Sequence, residues 1–400
     1  MDVLDGVKVV ELAIHGFVPA CGATLGDWGA EVIKVEAPEG DPLRLVIKSG
    51  FAADTGDFNF LWQLCNRNKR GIALDLRIPE SRAVFDKLIE NADVFLTNFL
   101  PNAREKLHIS PEDLWKVNPR LVYAKGHGQG QRGPDADKGG FDAVSFWARG
   151  GLGHTLTPPD GPLVMQRGAM GDLPSGAMLA GGVAAALYKR EKTGKGVVVD
   201  VALLNTAVWQ LGMDMTSTTI LREDPKPLST TGAMSNPLVG SYRTGDGRWM
   251  LLNMLDDMRH FAPACRALGL DELIDDPRYA DTQSRSENRA ALHTSLADAI
   301  RSMPLADLRT RLEAEDTIFA WLQSMLDVVD DPQVVANGYL AEHPDHPTCR
   351  VACAPMQFDD QMVEVRRGAP DVGQHTEEIL AELGFDDAQV QALREANAIA

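Results

Sequence analysis

One aspartate carries the strongest chemical signal in the chain. Asp172 sits in Gly171-Asp172-Leu173-Pro174-Ser175-Gly176, ahead of a run to Arg190 that reads as a helix. Pro174 suits the first helical turn, so Asp172 or a neighbour is the N-cap. The plain reading is a helix cap, and residue types alone favour it. The chemical reading is a carboxylate kept ionised at the positive end of a helix, among backbone donors. Such a group attacks a thioester or binds a phosphate, and the flanking glycines let a substrate approach the backbone. A second constellation, His343, His346, Cys349 and Cys353, has the ligand types of a zinc site. Its spacing matches no closed zinc template, and Arg350 to Ala352 reads as a strand. We therefore read solvent-facing histidines and buried cysteines there, not a metal.

The elements that must position Asp172 alternate between strand and helix. Val7–Leu12, Ala30–Glu36, Gly71–Leu76, Val94–Asn98 and Leu121–Gly126 read as strands. Helices are expected over Pro19–Trp28, over Pro79–Asn91 and from Ser110, where Ser110 and Asp113 form a capping box. This alternation predicts an α/β fold with a mostly parallel sheet covered on both faces. Ligands of such a sheet bind at the carboxyl ends of its strands. The turn after the first strand, Ala13 to Val18, is no G-x-G-x-x-G, and no G-x-x-x-x-G-K-[ST] follows any strand. The dinucleotide and P-loop readings lose their main support. Val197–Val201 reads as a strand and Ala202–Leu221 as one helix. Polar, Pro-containing residues 223–235 read as a linker. A hairpin turning at Gly245-Asp246-Gly247 and charged helices then form a smaller domain. The expected division is 1–222 for the N-terminal part of a large domain, 223–333 for linkers and the small domain, and 334–400 for a return to the large domain.

Composition bounds the partners. The chain has 400 residues, and apolar types at 44% with charged types at 24% describe a globular protein able to bury a large core. Fifty-seven acidic residues against 39 basic ones give a net charge of −18, which argues against nucleic acid or anionic membrane as a partner. A local group of Lys and Arg can still cradle a phosphate. The N-terminus lacks a basic, then apolar, leader, and the apolar run Gly176–Tyr188 is too short to span a bilayer. Five cysteines, few and odd in number, fit a reducing cytoplasm.

The chain resembles the class III CoA-transferases, the family of formyl-CoA transferase and of the carnitine and bile-acid CoA-transferases. The resemblance rests on ordered stretches along nearly the whole chain. They include Leu4 to Leu12, Gly29 to Glu36, Gly40 to Arg44, Asn68 to Gly71, Leu74 to Arg77, Ala92 to Val94, Asn98-Phe99, Gly140-Phe141-Asp142, Gly171-Asp172, Thr193 to Gly196 and Gly373 to Leu380. It implies a large Rossmann-like domain with a smaller α+β domain, and an interlocked homodimer. It implies that Asp172 is catalytic and that Leu74, Arg77, Asn98, Phe99, Lys106 and Lys138 hold CoA. Coenzyme A and acyl-CoA enter as substrates, with no permanently bound cofactor. Arg77 and Asn98 also lie just past strand ends, where a phosphate-bearing ligand needs donors. Some family members carry Arg where this chain has Ala37; Arg44 is a candidate substitute for that phosphate contact.

The resemblance implies acyl-CoA:carboxylate CoA-transfer through an aspartyl anhydride and an aspartyl-CoA thioester. The α-methylacyl-CoA racemases of the same family pair an Asp with the His of a Gly-His-Asp motif. Here Phe141 stands at that position and accepts no proton, which favours transfer over isomerisation. A CoA-binding protein without turnover is the remaining alternative. The stretches around Gly140 to Gly151 and Ala184 to Tyr188 resemble the branch acting on aryl-lactates and other 2-hydroxy acids. Trp147, Trp209, Met213 and Met215 are candidates for an apolar acyl pocket.

Overall fold

The computed structural model describes residues 2–50, 53, 55–225 and 234–399. The expected linker over 223–235 falls partly on 226–233, outside the described residues. The chain divides into two compact units, 1–225 with 332–400, and 226–331.

The first unit is built on six strands. They are β1 (Lys8–Leu12), β2 (Glu31–Glu36), β3 (Lys69–Ala73), β4 (Val94–Thr97), β5 (Val122–His127) and β6 (Val198–Ala202). All pair in parallel, in the order β3-β2-β1-β4-β5-β6. The order reverses between β1 and β4, the switch point at which such sheets open a crevice beyond their carboxyl ends. One face carries the helices Phe17–Asp27 and Asp172–Thr193 over a core that includes Val9, Leu25, Leu96, Phe146 and Leu179. The other face is closed by the Ser81–Glu90 helix and by the C-terminal segment, whose Ile379, Leu380, Leu393 and Ile399 join Val10, Phe85 and Phe95. The segment from Leu340 also forms a two-stranded antiparallel hairpin of its own, Leu340–His343 with His346–Ala352.

The two helices on the first face approach closely because small residues meet there. A β-carbon on Gly176 would lie 2.8 Å from the Phe17 carbonyl oxygen and 3.0 Å from the Cys21 nitrogen. Both are backbone atoms that cannot step aside, so only glycine fits.

Two expectations change. Residues 202–221 are two helices, Leu203–Gln210 and Gly212–Leu221, broken at Leu211, whose ψ of 24° is not helical; Gly212 weakens propagation across the join. The glycine-rich stretch contains a π-helical turn over Ala143–Ala148 and a short helix over Leu152–Leu156. The second unit holds the expected hairpin, with Arg243 opposite Trp249, extended by Phe319–Trp321 into a three-stranded antiparallel sheet. Its own core packs around Tyr242, Met250, Phe261, Leu292 and Leu308. Among the described residues no helix is long and apolar enough to cross a membrane.

Beneath the first helix lies a group of buried charges. Glu11, Lys34 and Lys69, one from each of β1, β2 and β3, are fully buried. Lys34 Nζ lies 3.1 Å from Glu11 Oε1, and Lys69 Nζ lies 2.8 Å from Glu11 Oε2. Lys69 also donates to the carbonyls of Pro19 and Cys65 and to Asn66 Oδ1. Burial, then repulsion from Lys34, outweighs Glu11 and brings the Lys69 ammonium down to about 8. Removing Glu11 leaves Lys69 without a carboxylate and Lys34 with Asp41 alone, both away from water. Glu11→Ala is expected to cost the first unit about 3–5 kcal/mol, read as a lowered urea midpoint.

Candidate active site

The site forms where the sheet reverses. Asp172 is the first residue of the Asp172–Thr193 helix and Gly171 is its N-cap, so the cap is the glycine and the aspartate is left for other work. Facing it is the Ala13–Gly16 loop that leaves β1 and enters the Phe17–Asp27 helix. A β-carbon on Gly16 would lie 2.6 Å from Asp172 Oδ2. The carboxyl is therefore roofed by bare backbone. His15 holds a left-handed φ of 65°, and its ring packs edge-on against Phe141 at 5.2 Å between centroids.

A second carboxylate shares the site. Asp142 is buried, and the Gly171 N–H donates to both its oxygens, at 3.0 and 3.1 Å. A β-carbon on Gly171 would lie 2.3 Å from the Phe146 ring and 2.5 Å from Asp142 Oδ1, so the glycine is required. Burial first, and the Asp142 charge second, push Asp172 up to about 7. Burial also raises Asp142 itself. This corrects the expectation that Asp172 stays ionised. Its place in the first turn of a helix favours charge, but the loss of water is the larger effect. Asp142 was visible only as the last member of Gly140-Phe141-Asp142. A lone aspartate in a glycine-rich stretch gives no sign of the backbone amide it will reach 29 positions away.

The other expected residues divide. Asn98 follows β4, and its amide is used on the loop: it accepts from the Ile14 N–H at 3.0 Å and donates to the Ile14 carbonyl at 2.6 Å. Phe99 is half-buried against the second core. The Leu74 side chain is buried in that core, its N–H bonded to the Glu36 carbonyl at 2.7 Å. Arg77 is exposed and forked onto Asp75 and Glu39. Lys106 and Lys138 are exposed, with Lys138 2.7 Å from Asp135. Arg44 is not a spare phosphate ligand. Its guanidinium makes two bonds to Glu36, at 3.0 and 2.7 Å, donates to the Pro370 carbonyl and stacks on Trp62 at 3.6 Å.

The four apolar candidates do not share one cavity. Trp209 and Met215 line a groove of about 520 Å³ with Met178, Val201 and Val208. Trp147 is core, its indole donating to the Val164 carbonyl, and Met213 is 90% exposed. Among the described residues, no group of three or more His, Cys, Asp or Glu side chains is placed to hold a metal ion.

A parallel sheet with a raised-pKa aspartate at its switch point, roofed by glycine, is the kind of site at which enzymes place a reacting carboxylate. The model of CoA-transferase family III matches residues 4–376, and the chain belongs to that family and is a CoA-transferase. It is 33% identical to (R)-2-hydroxy-4-methylpentanoate CoA-transferase of Clostridioides difficile, over 99% of each chain. It is 31% identical to cinnamoyl-CoA:phenyllactate CoA-transferase of Clostridium sporogenes, over 98% of this chain and 96% of that one. The crystal structure of a CAIB/BAIF family protein from Brucella suis superposes with a TM-score of 0.81 at 31% identity, covering 96% of this chain and 99% of that one.

The environment of Asp172 makes a stability prediction. Its folded-state pKa is raised, so its contribution favours the fold below the ordinary carboxylate value and is lost as pH climbs through about 7. Asp172→Asn is therefore expected to raise the thermal midpoint at pH 8 and to change it much less at pH 5. At about 1.4 kcal/mol per pKa unit, the gain is at most roughly 4 kcal/mol.

Proposed function

We propose that the chain moves CoA between an acyl-CoA and a free carboxylic acid with Asp172 as nucleophile. The observation that carries this is the Asp172 carboxyl against the bare backbone of Gly16, pushed up to about 7 by burial first and by Asp142 second. An Asp172 oxygen attacks the thioester carbonyl; the C–S bond breaks and CoA thiolate leaves, giving a mixed anhydride. The thiolate attacks the Asp172 carbonyl and expels the donor acid, giving an aspartyl-CoA thioester. The acceptor carboxylate attacks that carbonyl and forms a new anhydride as thiolate departs. The thiolate then takes the acceptor acyl group and frees Asp172. Every step passes through an oxyanion, and backbone N–H groups of the glycine-rich segment are the candidates to stabilise it. Covalent steps conserve the thioester free energy.

Leu74, Arg77, Asn98, Phe99, Lys106 and Lys138 are proposed to hold CoA. Arg77 and the two lysines present exposed cations to its phosphates; Phe99 offers a ring to the adenine. The acceptor is proposed to be a 2-hydroxy acid, on the likeness to the hydroxymethylpentanoate and phenyllactate enzymes. The working unit is proposed to be a homodimer of interlocked chains. The Gly212–Leu221 helix has no buried residue although it carries Met213, Ile220 and Leu221, and Trp209 beside it is 74% exposed. A helix this apolar on an uncovered face calls for a second surface.

Mixing the enzyme with acyl-CoA and then hydroxylamine is expected to leave a hydroxamate on Asp172, found by peptide mass spectrometry and missing from Asp172→Ala. No adduct from any donor, together with α-proton exchange into deuterated water, would replace this reading with the isomerase one. Arg77→Ala is expected to raise KM for acyl-CoA by about tenfold, leaving kcat within about twofold. Light scattering should give twice the chain mass, and Trp209→Asp with Met213→Asp should halve it.

A further inference from the structure

The Ala13–Gly16 loop is held at three successive residues by side chains from β2 and from the segments that follow β2 and β4. The Ala13 carbonyl accepts from Lys34 Nζ at 2.8 Å. The Ile14 N–H and carbonyl are both taken by the Asn98 amide. The His15 N–H donates to Asp41 Oδ1 at 3.0 Å. Asp41 is itself fixed. It is buried, it pairs with Lys34 at 3.1 Å, its Oδ1 also accepts from the Leu43 N–H at 2.9 Å, and its own N–H donates to Glu36 at 2.9 Å. The result is a corner in which a non-glycine residue, His15, stays left-handed, a conformation that persists only where the surroundings over-determine it. The next residue is the glycine that faces Asp172 Oδ2.

We propose that Asp41 is a positioning residue for Asp172: backed by Lys34, it keeps the His15–Gly16 corner closed over the aspartate's carboxyl and so keeps water off it. The proposal rests on Asp172 being the nucleophile. The charge that reaches Asp172 is that of Asp142, from the glycine-rich segment; the Asp172 charge in turn helps hold the Cys65 thiol above its ordinary value. Burial is the main cause of the raised Asp172 value, so opening the corner lowers that value and weakens the nucleophile together. None of Lys34, Asp41 and His15 is among the residues proposed to hold CoA, so its binding should not follow.

The test compares wild type, Asp41→Ala, Asp41→Asn and His15→Gly. Asp41→Ala is expected to lose about 10- to 100-fold in kcat with KM for acyl-CoA within about twofold. The acid limb of its pH–rate profile should move down by about one unit from near 7. Asp41→Asn keeps a carbonyl oxygen for the His15 and Leu43 N–H groups and should recover most of the loss. His15→Gly keeps the N–H that Asp41 holds and suits the left-handed φ, so it should leave kcat and the limb close to wild type. A folded Asp41→Ala with wild-type kcat and an unmoved limb overturns the proposal; so does a folded His15→Gly or Asp41→Asn that loses tenfold or more in kcat, since both retain the clamp. Hydroxylamine separates the two ideas. No adduct on wild-type Asp172 removes the nucleophile; adducts forming equally fast in wild type and Asp41→Ala remove only the clamp.

Discussion

The first unit is organised around a carboxylate that water never reaches. Glu11 and Lys34 are register partners on β1 and β2, and Lys69 approaches from β3. With Asp41 the group is two carboxylates and two ammonium ions, neutral as a whole. A slip of any of the three strands would strand a buried charge, a far larger penalty than a misplaced valine. The same group docks the first helix. Lys69 donates to the Pro19 carbonyl, and a β-carbon on Gly22 would collide with the Glu11 carboxylate. The position of that helix, and of the loop leading into it, is thus fixed by charge pairing as much as by apolar packing. Burial works against the Lys34 charge, but the carboxylates of Glu11, Asp41 and Glu36 outweigh it and hold Lys34 above its ordinary value.

At Asp172 two effects oppose each other, and their sizes decide the outcome. A carboxylate in the first turn of a helix gains about 0.3–1 kcal/mol in its charged form, up to roughly 2 when partly buried. The rise to about 7 is some three units above an ordinary aspartate, or roughly 4 kcal/mol in the other direction. Desolvation wins, and Asp142 adds a like charge. The protein gives up stability at neutral pH to keep this carboxyl desolvated, a cost that perturbed groups at functional sites often carry.

The alternation of strand and helix was legible because β1, β2, β4 and β5 carry β-branched or apolar runs, and the Ser81–Glu90 helix an apolar stripe; β3 opens on Lys69-Arg70-Gly71, and its first residues gave no strand signal. Asp172 was legible because Gly, Asp and Pro cluster where a helix must start. Other features depend on partners distant in sequence. Glu11 and Lys34 look like the polar positions of half-exposed strands; only pairing across the sheet shows that they are buried. Asn98 read as a ligand residue at a strand end, and nothing in the sequence shows that its amide also bonds to Ile14. Arg44 read as a free cation, and Glu36 and Trp62 occupy it. The break at Leu211 left no signal beyond Gly212, which helices often tolerate.

The raised Asp172 value also bears on how a covalent route would partition. In the mixed anhydride, thiolate can attack either carbonyl. Attack on the donor carbonyl expels Asp172 and simply reverses the first step; attack on the Asp172 carbonyl expels the donor acid and moves CoA forward. A carboxylate is the better leaving group the weaker a base it is. Ordinary carboxylic acids lose their proton near 4 and Asp172 near 7, so the donor acid leaves more readily than the aspartate. On the proposed route, the same burial favours both attack by Asp172 and collapse of the anhydride toward aspartyl-CoA.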